Sequence, residues 1–397
     1  MENDITQRQS RCPAELIKTG SIKKRLAYFN SPDLVVNHPE LDRVVERLIW
    51  ATQSVGDQNV LLLVGPTGVG KTAALKLAVA RMNAKIDSGE DPDPHAVPAM
   101  IIMAEPGEGR RFDYKHFYSS ILAIIGEVAI ERSLPLISRV AGLHTFVTVD
   151  PKPFSWLSPT SALRMRVQNS LIKRSVLLLA IDEAVNLLIP SSSGSQNERR
   201  RQVVANAAVV RSLVNKSPTC LVLAGAYDFF DLTTQTGQLA RRGDIVRFRE
   251  YEATPTGLYE FSIAWLGLVL HIPAEHDLED PAYPAEMFVQ CCGCIGLAKT
   301  ILVKALRDAL NSEVPVTPQL VRQHYFSGPA LARIRQEINE GRAAFAGLDS
   351  ESDGLEVDAN SVQTGEEAAI VKTPPVRVAR KRGVGEMNPR RSFTESV

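Results

Sequence analysis

Leu61-Leu-Leu-Val-Gly-Pro-Thr-Gly-Val-Gly-Lys-Thr72 decides how this chain folds. A short apolar run feeds the loop Gly65, Pro66, Thr67, Gly68, Val69, Gly70, Lys71, Thr72. Ala73, Ala74, Leu75, Leu77 and Ala78 follow at helical spacing. The order is therefore a strand, a glycine-rich turn and a helix N-terminus. Such a turn lets backbone N–H groups curl around phosphate, and the helix dipole adds positive potential at the same place. Lys71 would reach the β- and γ-phosphates of a nucleotide, and the Thr72 hydroxyl would hold Mg²⁺. A glycine turn arising by chance would lack the flanking strand and helix, so the stretch predicts a nucleotide site.

A second stretch, Ser175-Val-Leu-Leu-Leu-Ala-Ile-Asp-Glu-Ala184, is continuously apolar until Asp182 and Glu183. It reads as a central parallel strand buried on both faces. Carboxylates at its tip are costly unless they serve a ligand, and ligands of open α/β sheets bind at that edge. Asp182 would support the Mg²⁺ shell, and Glu183 would orient or deprotonate an attacking water. The dyad points to hydrolysis rather than binding alone. A GTPase would show N-K-x-D, whereas Asn215-Lys-Ser-Pro218 carries proline in place of the acid. The expected nucleotide is ATP.

Strands alternating with helices through residues 60–250 predict a doubly wound parallel sheet. Its strands are Leu61–Val64, Val97–Ala104, Ser175–Asp182, Thr219–Ala224 and Ile245–Phe248, with Thr219–Ala224 between the Asp182 strand and the loop strand. Residues 28–253 are the expected nucleotide domain, with a Pro-containing insertion at about 127–160. Residues 1–27 read as a basic arm. Residues 254–345 read as a helical lid, with Gly257–Leu268, Ala285–Gln290 and Ile295–Leu310 at helical spacing. Residues 346–397 pass from an acidic to a basic composition with few large apolar groups, and read as a disordered tail. Cys291-x-x-Cys294 has no second ligand pair nearby, so these cysteines are expected as buried small apolar residues.

The chain has 397 residues, enough for two or three domains, and its 45 basic and 45 acidic residues cancel. Any nucleic-acid surface must then be local. No window approaches the ~20 apolar residues of a membrane span, and the start lacks a signal-peptide layout. A soluble cytoplasmic protein, with no membrane partner, is expected. Five cysteines in so long a chain do not make a disulfide scaffold.

Arg241 and Arg242 close a helix just before the last strand. Either could project across a subunit boundary onto a neighbour's γ-phosphate, or the pair could sit solvated at the helix C-terminus. The tip Gly225-Ala226-Tyr227-Asp228 offers Tyr227 or Asp228 as a phosphate sensor.

These parts resemble the AAA+ ATPases, and in detail the TnsC/TniB type, the transposition-regulator ATPases of bacterial mobile elements. The resemblance covers roughly residues 30–312. It rests on Gly65–Thr72, Leu178–Glu183, Leu239-Ala-Arg-Arg-Gly-Asp-Ile-Val-Arg-Phe248 with Tyr251, and Gly293-Cys-Ile-Gly296 with the helix Leu297–Leu310. Many AAA+ lids carry a sensor arginine where this chain has Gly296, and Lys299, one helical turn on, is the candidate substitute. The resemblance implies ATP-dependent assembly of a homo-oligomeric ring or helical filament on double-stranded DNA. It also implies coupling of target-selector proteins to a partner DDE transposase, with hydrolysis driving disassembly. An AAA+ replication loader or initiator, or a nucleotide-switched DNA-binding adaptor, stays open as the alternative. On such a ring, Arg110, Arg111 and Lys115 at one strand-to-helix turn, and Arg199, Arg200 and Arg201 at another, would face DNA phosphates, or form solvated helix faces.

Overall fold

Short apolar runs, buried on both faces, build the sheet. In the computed structural model, which describes residues 20–31, 34–53, 60–87, 96–107, 112–126, 159–188, 195–234 and 243–352, five strands pair in parallel. They are β1 (Val60–Val64), β2 (Ala99–Met103), β3 (Leu178–Asp182), β4 (Cys220–Gly225) and β5 (Gly243–Arg247). Their order is β2-β3-β4-β1-β5, so β4 separates the loop strand from the Asp182 strand, as the sequence predicts. The register sets Leu63 beside Ala224 and Ile181 beside Leu223.

Alternate residues of each strand feed two cores. Leu62, Leu179, Ile181 and Leu223 pack under α4 (Tyr114–Ile125), α5 (Thr160–Lys173) and α7 (Gln196–Arg211). Leu61, Leu63, Ala180 and Val222 pack under α2 (Pro39–Gln53) and α3 (Lys71–Asp87). Such strands must be apolar throughout, and this is why they read as unbroken runs. Short helices α6 (Val185–Leu188) and α8 (Tyr227–Thr234) follow β3 and β4.

Helix ends obey local chemistry. The Asp113 side chain accepts from the Lys115 and His116 N–H groups and caps α4, a contact of about 1 kcal/mol. Ser195 and Glu198 form a reciprocal capping box at the start of α7.

Residues beyond the sheet are helical: α9 (Pro255–Val269), α10 (Tyr283–Gln290), α11 (Ile295–Ser312), α12 (Pro318–Arg322) and α13 (Gly328–Ser352). Trp265, Phe261, Met287, Ala298 and Leu302 make their core, and Cys291 and Cys294 are buried within it. These helices, up to Gly347, share one unit with the sheet. Among the described residues, no single helix is long and apolar enough to cross a membrane.

Two boundaries differ from expectation. The arm expected over residues 1–27 is helical from Ile22, where α1 (Ile22–Asn30) buries Phe29 in the core that α11 lines, because Leu26 and Phe29 supply an apolar side. The tail expected from residue 346 is helical to Ser352, the end of α13. The expected insertion lies almost wholly outside the described residues, as do residues 353–397.

Candidate nucleotide site

The loop between β1 and α3 sets the site. Gly68 has φ +79 and Gly70 φ +117, backbone that other L-residues rarely adopt. Thr72, in the first turn of α3, donates from Oγ1 to Asp182 Oδ2 at 2.6 Å. This bond spans two strand spacings, across β4. It brings together the hydroxyl and the carboxylate that the sequence assigns to one Mg²⁺. Asp182 is 3% exposed, and its Oδ1 accepts from the Glu183 N–H at 2.9 Å. Oxygens of a hydroxyl and a carboxylate converging on one point are the donor set Mg²⁺ takes.

Glu183 stands at φ +51, an unusual conformation for a non-glycine residue. The turn directs the chain away from the strand axis, and the Ala184 N–H then bonds the Ala224 carbonyl at 2.8 Å. Glu183 itself is exposed at the strand tip. Strain held at this point, beside Asp182, is where a catalytic carboxylate is expected to sit.

Lys71 Nζ donates to the Gly65 carbonyl at 2.8 Å and the Pro66 carbonyl at 3.0 Å, folding the ammonium over the loop. Burial pushes its pKa below the ordinary lysine range, opposed by the charges of Asp182, Glu337 and Glu183. A buried ammonium is held charged by anions, and a nucleotide's phosphates would add to that field.

Two walls close on the loop. Phe248, just past β5, packs on Gly65 and Gly70 from one side. From the other, Gly296 in the first turn of α11 approaches so closely that a Cβ there would lie 2.4 Å from the Gly68 carbonyl oxygen. This contact explains the departure from the AAA+ pattern at Gly296: no arginine fits where helix backbone meets loop backbone. Lys299 is not its substitute in this structure. Its ammonium donates to the Ser31 and Leu34 carbonyls, both at 3.0 Å, and ties α11 to the segment before α2. The sensor candidates after β4 are engaged away from the loop. The Tyr227 hydroxyl donates to Glu250 at 3.4 Å, and Asp228 accepts from the Phe229 N–H.

Other expected site residues are placed unevenly. Lys115 is half-buried in the first turn of α4, and Arg199 and Arg201 are exposed on α7. Both helices leave the carboxyl edge of the sheet, after β2 and β3, the edge that carries Asp182. Arg200 lies on α7 as well. Arg110, Arg111, Arg241 and Arg242 lie outside the described residues.

Two contacts are not foreseeable from the sequence. Glu337 of α13 reaches the loop at Thr67. Gly296 meets Gly68 backbone to backbone, a contact foreshadowed only by the spacing Gly293-Cys-Ile-Gly296.

Residues 54–233 match the family model described as AAA domain. That span holds β1 to β4 and includes Gly65–Thr72, Asp182 and Glu183. No curated protein matches the chain. Among solved structures, the ORC2 protein of Aeropyrum pernix in ADPNP–ADP complexes is similar at 14% identity and TM-score 0.42, over 75% of this chain and 70% of that one. The ORC1 protein of the same organism, in complex with DNA, is similar at 16% identity and TM-score 0.42, over 84% and 77%. A Walker-type ATPase of Pyrococcus abyssi is similar at 15% identity and TM-score 0.41, over 82% and 77%. The parallel sheet, four of whose five strands lie within residues 54–233, the glycine-rich loop and the family match together show an AAA+ P-loop fold.

Proposed function

We propose that this chain is a Mg²⁺-dependent ATPase that works on DNA. The observation that carries the catalytic part is the Thr72–Asp182 hydrogen bond, with Glu183 exposed beside it. Bound Mg·ATP would supply a polarised γ-phosphate. The loop N–H groups of Gly65–Thr72 orient the phosphates, and Lys71 neutralises their charge. Thr72 and Asp182 would hold the cation through their oxygens. Glu183 accepts the proton of the water it aligns.

On this ATPase we place a role in DNA transposition: assembly as a homo-oligomer on duplex DNA, and recruitment of a DDE transposase. The motifs around Leu239–Phe248 and Gly293–Gly296 support it, together with Lys115 of α4 and Arg199 and Arg201 of α7 at the carboxyl edge. Arg241 or Arg242 would complete a neighbour's site. A replication loader or initiator would use the same sheet and loop, and the partner separates the two.

The test pairs two variants. Glu183→Gln is expected to lower turnover about 10²–10⁴-fold while retaining ATP, and Lys71→Ala to lose ATP binding. Wild-type protein that releases no phosphate with duplex DNA and ATP present would refute hydrolysis. Electron microscopy of the Glu183→Gln variant with ATP and duplex is expected to show rings or filaments. Co-purification with a DDE transposase, against a replicative helicase, distinguishes the two roles.

A further inference from the structure

The P-loop carries a contact that phosphate binding does not call for. Glu337 Oε1 accepts from the Thr67 backbone N–H at 2.9 Å and from the Thr67 hydroxyl at 3.1 Å. Thr67 is one of the loop residues expected to face phosphate, so a carboxylate oxygen sits on a donor suited to a phosphate oxygen. Glu337 belongs to α13, which is anchored over the carboxyl edge of the sheet by three further contacts. Arg342 pairs with the buried Glu250. Phe345 stacks on Phe230 with ring centroids 4.4 Å apart. The Arg247 guanidinium lies 5.0 Å from the centre of the Phe345 ring.

From this geometry we infer that Glu337 is a γ-phosphate sensor, which makes α13 a latch that tells nucleoside triphosphate from diphosphate. The inference rests on the proposed ATP site. Two anions compete for one stretch of loop. Glu337 is among the carboxylates whose charge acts on the Lys71 ammonium, the group that would receive the β- and γ-phosphates. A diphosphate leaves the Thr67 corner to Glu337. A triphosphate brings added negative charge toward that carboxylate, and like charges at such range repel. The weakest link of α13 to the loop is this one contact, because Glu337 is only half-buried while Phe345 is 5% exposed. Displacing Glu337 removes a tie of α13 to the loop and loosens the helix at that turn, while Ile338 and Phe345 stay packed.

Full-length Glu337→Gln keeps an oxygen that accepts from Thr67 and removes only the charge. Affinities of this variant and of wild type for a non-hydrolysable ATP analogue and for ADP are the readout. The expected result is a rise of about two- to fivefold in triphosphate affinity relative to diphosphate, the size of a partly exposed charge interaction. Glu337→Ala is expected to move the ratio the same way, whereas removal of a merely structural interaction would weaken both nucleotides alike. Amide hydrogen exchange across 328–345 of wild type should be faster with the triphosphate analogue than with ADP. An unchanged affinity ratio in both variants, or exchange indifferent to the γ-phosphate, overturns the sensor and leaves the ATPase standing. Wild type that bound neither nucleotide would overturn both.

Discussion

His38 stands just before α2, where its Nδ1 accepts from the Leu41 N–H at 3.3 Å and lies 2.7 Å from the Tyr251 hydroxyl. An acceptor Nδ1 puts the ring proton on Nε2 in the neutral form. Burial lowers the pKa from 6.5 to about 4, and the nearby Glu40 and Asp42 charges only partly oppose it. The sign follows from which state takes the proton first. As pH falls, the unfolded chain protonates His38 near 6.5 while the folded chain holds it neutral until about 4. Stability is therefore intact above 6.5 and is lost progressively between 6.5 and 4, by up to about 3 kcal/mol. Thermal melts of wild type and His38→Gln across that window check it: the variant's Tm should fall less steeply. At this scale the chemistry is legible in the sequence where residue type and spacing are rigidly coupled. Thr72 and Asp182, far apart in the chain, meet through a hydrogen bond, and Lys71 folds over the loop that the glycines shape. Glu337 is not legible. It lies 270 residues from Thr67, within Arg335-Gln-Glu-Ile-Asn-Glu340, whose charges read as an ordinary solvated helix face.

The edge strand β2 shows how helices secure the sheet. Asn83 on α3 donates from Nδ2 to the Ala99 carbonyl at 3.0 Å and accepts from the Ala99 N–H at 3.1 Å. The side chain thus pairs both backbone groups of the first β2 residue, on a strand that has a partner on one side only. Asn83→Ala would leave a buried donor and acceptor unmatched, at a cost of about 2–3 kcal/mol. Urea unfolding should show a lower midpoint with the slope unchanged. Strands β1, β3 and β4 are legible because each is a run buried on both faces, and helix α4 because its cap and apolar spacing agree. Strand ends are less so: the apolar run Ser175–Asp182 overshoots the strand Leu178–Asp182, because Val176 is buried before the ladder begins. The part of α13 beyond Gly347 escapes a sequence reading because its polar composition, apt for a solvated helix, is equally that of a tail.

Taken as a whole, the chain has no net charge, so duplex binding depends on where cations gather. Lys115, Arg199 and Arg201 ride on helices leaving one edge of the sheet. Replacing all three by Ala is expected to weaken duplex binding at every sequence. The salt dependence should flatten by up to about 0.9 for each phosphate no longer neutralised. A fluorescence titration from low to moderate salt measures both, and an unaltered slope would assign these side chains to solvent. Sequence alone can bring these cations to a common edge through strand order, but not to a common surface, since that needs the packing of whole helices. A different consequence follows from β4 lying between β1, which leads into the loop and Thr72, and β3, which ends in Asp182. The two strands that deliver the hydroxyl and the carboxylate are held at a fixed spacing by the backbone ladders of an intervening strand with no chemistry of its own. A side chain at Gly225 would collide with Phe229 and skew that ladder as a bent shim skews a vice, so substitution there should alter turnover with every reactive group intact.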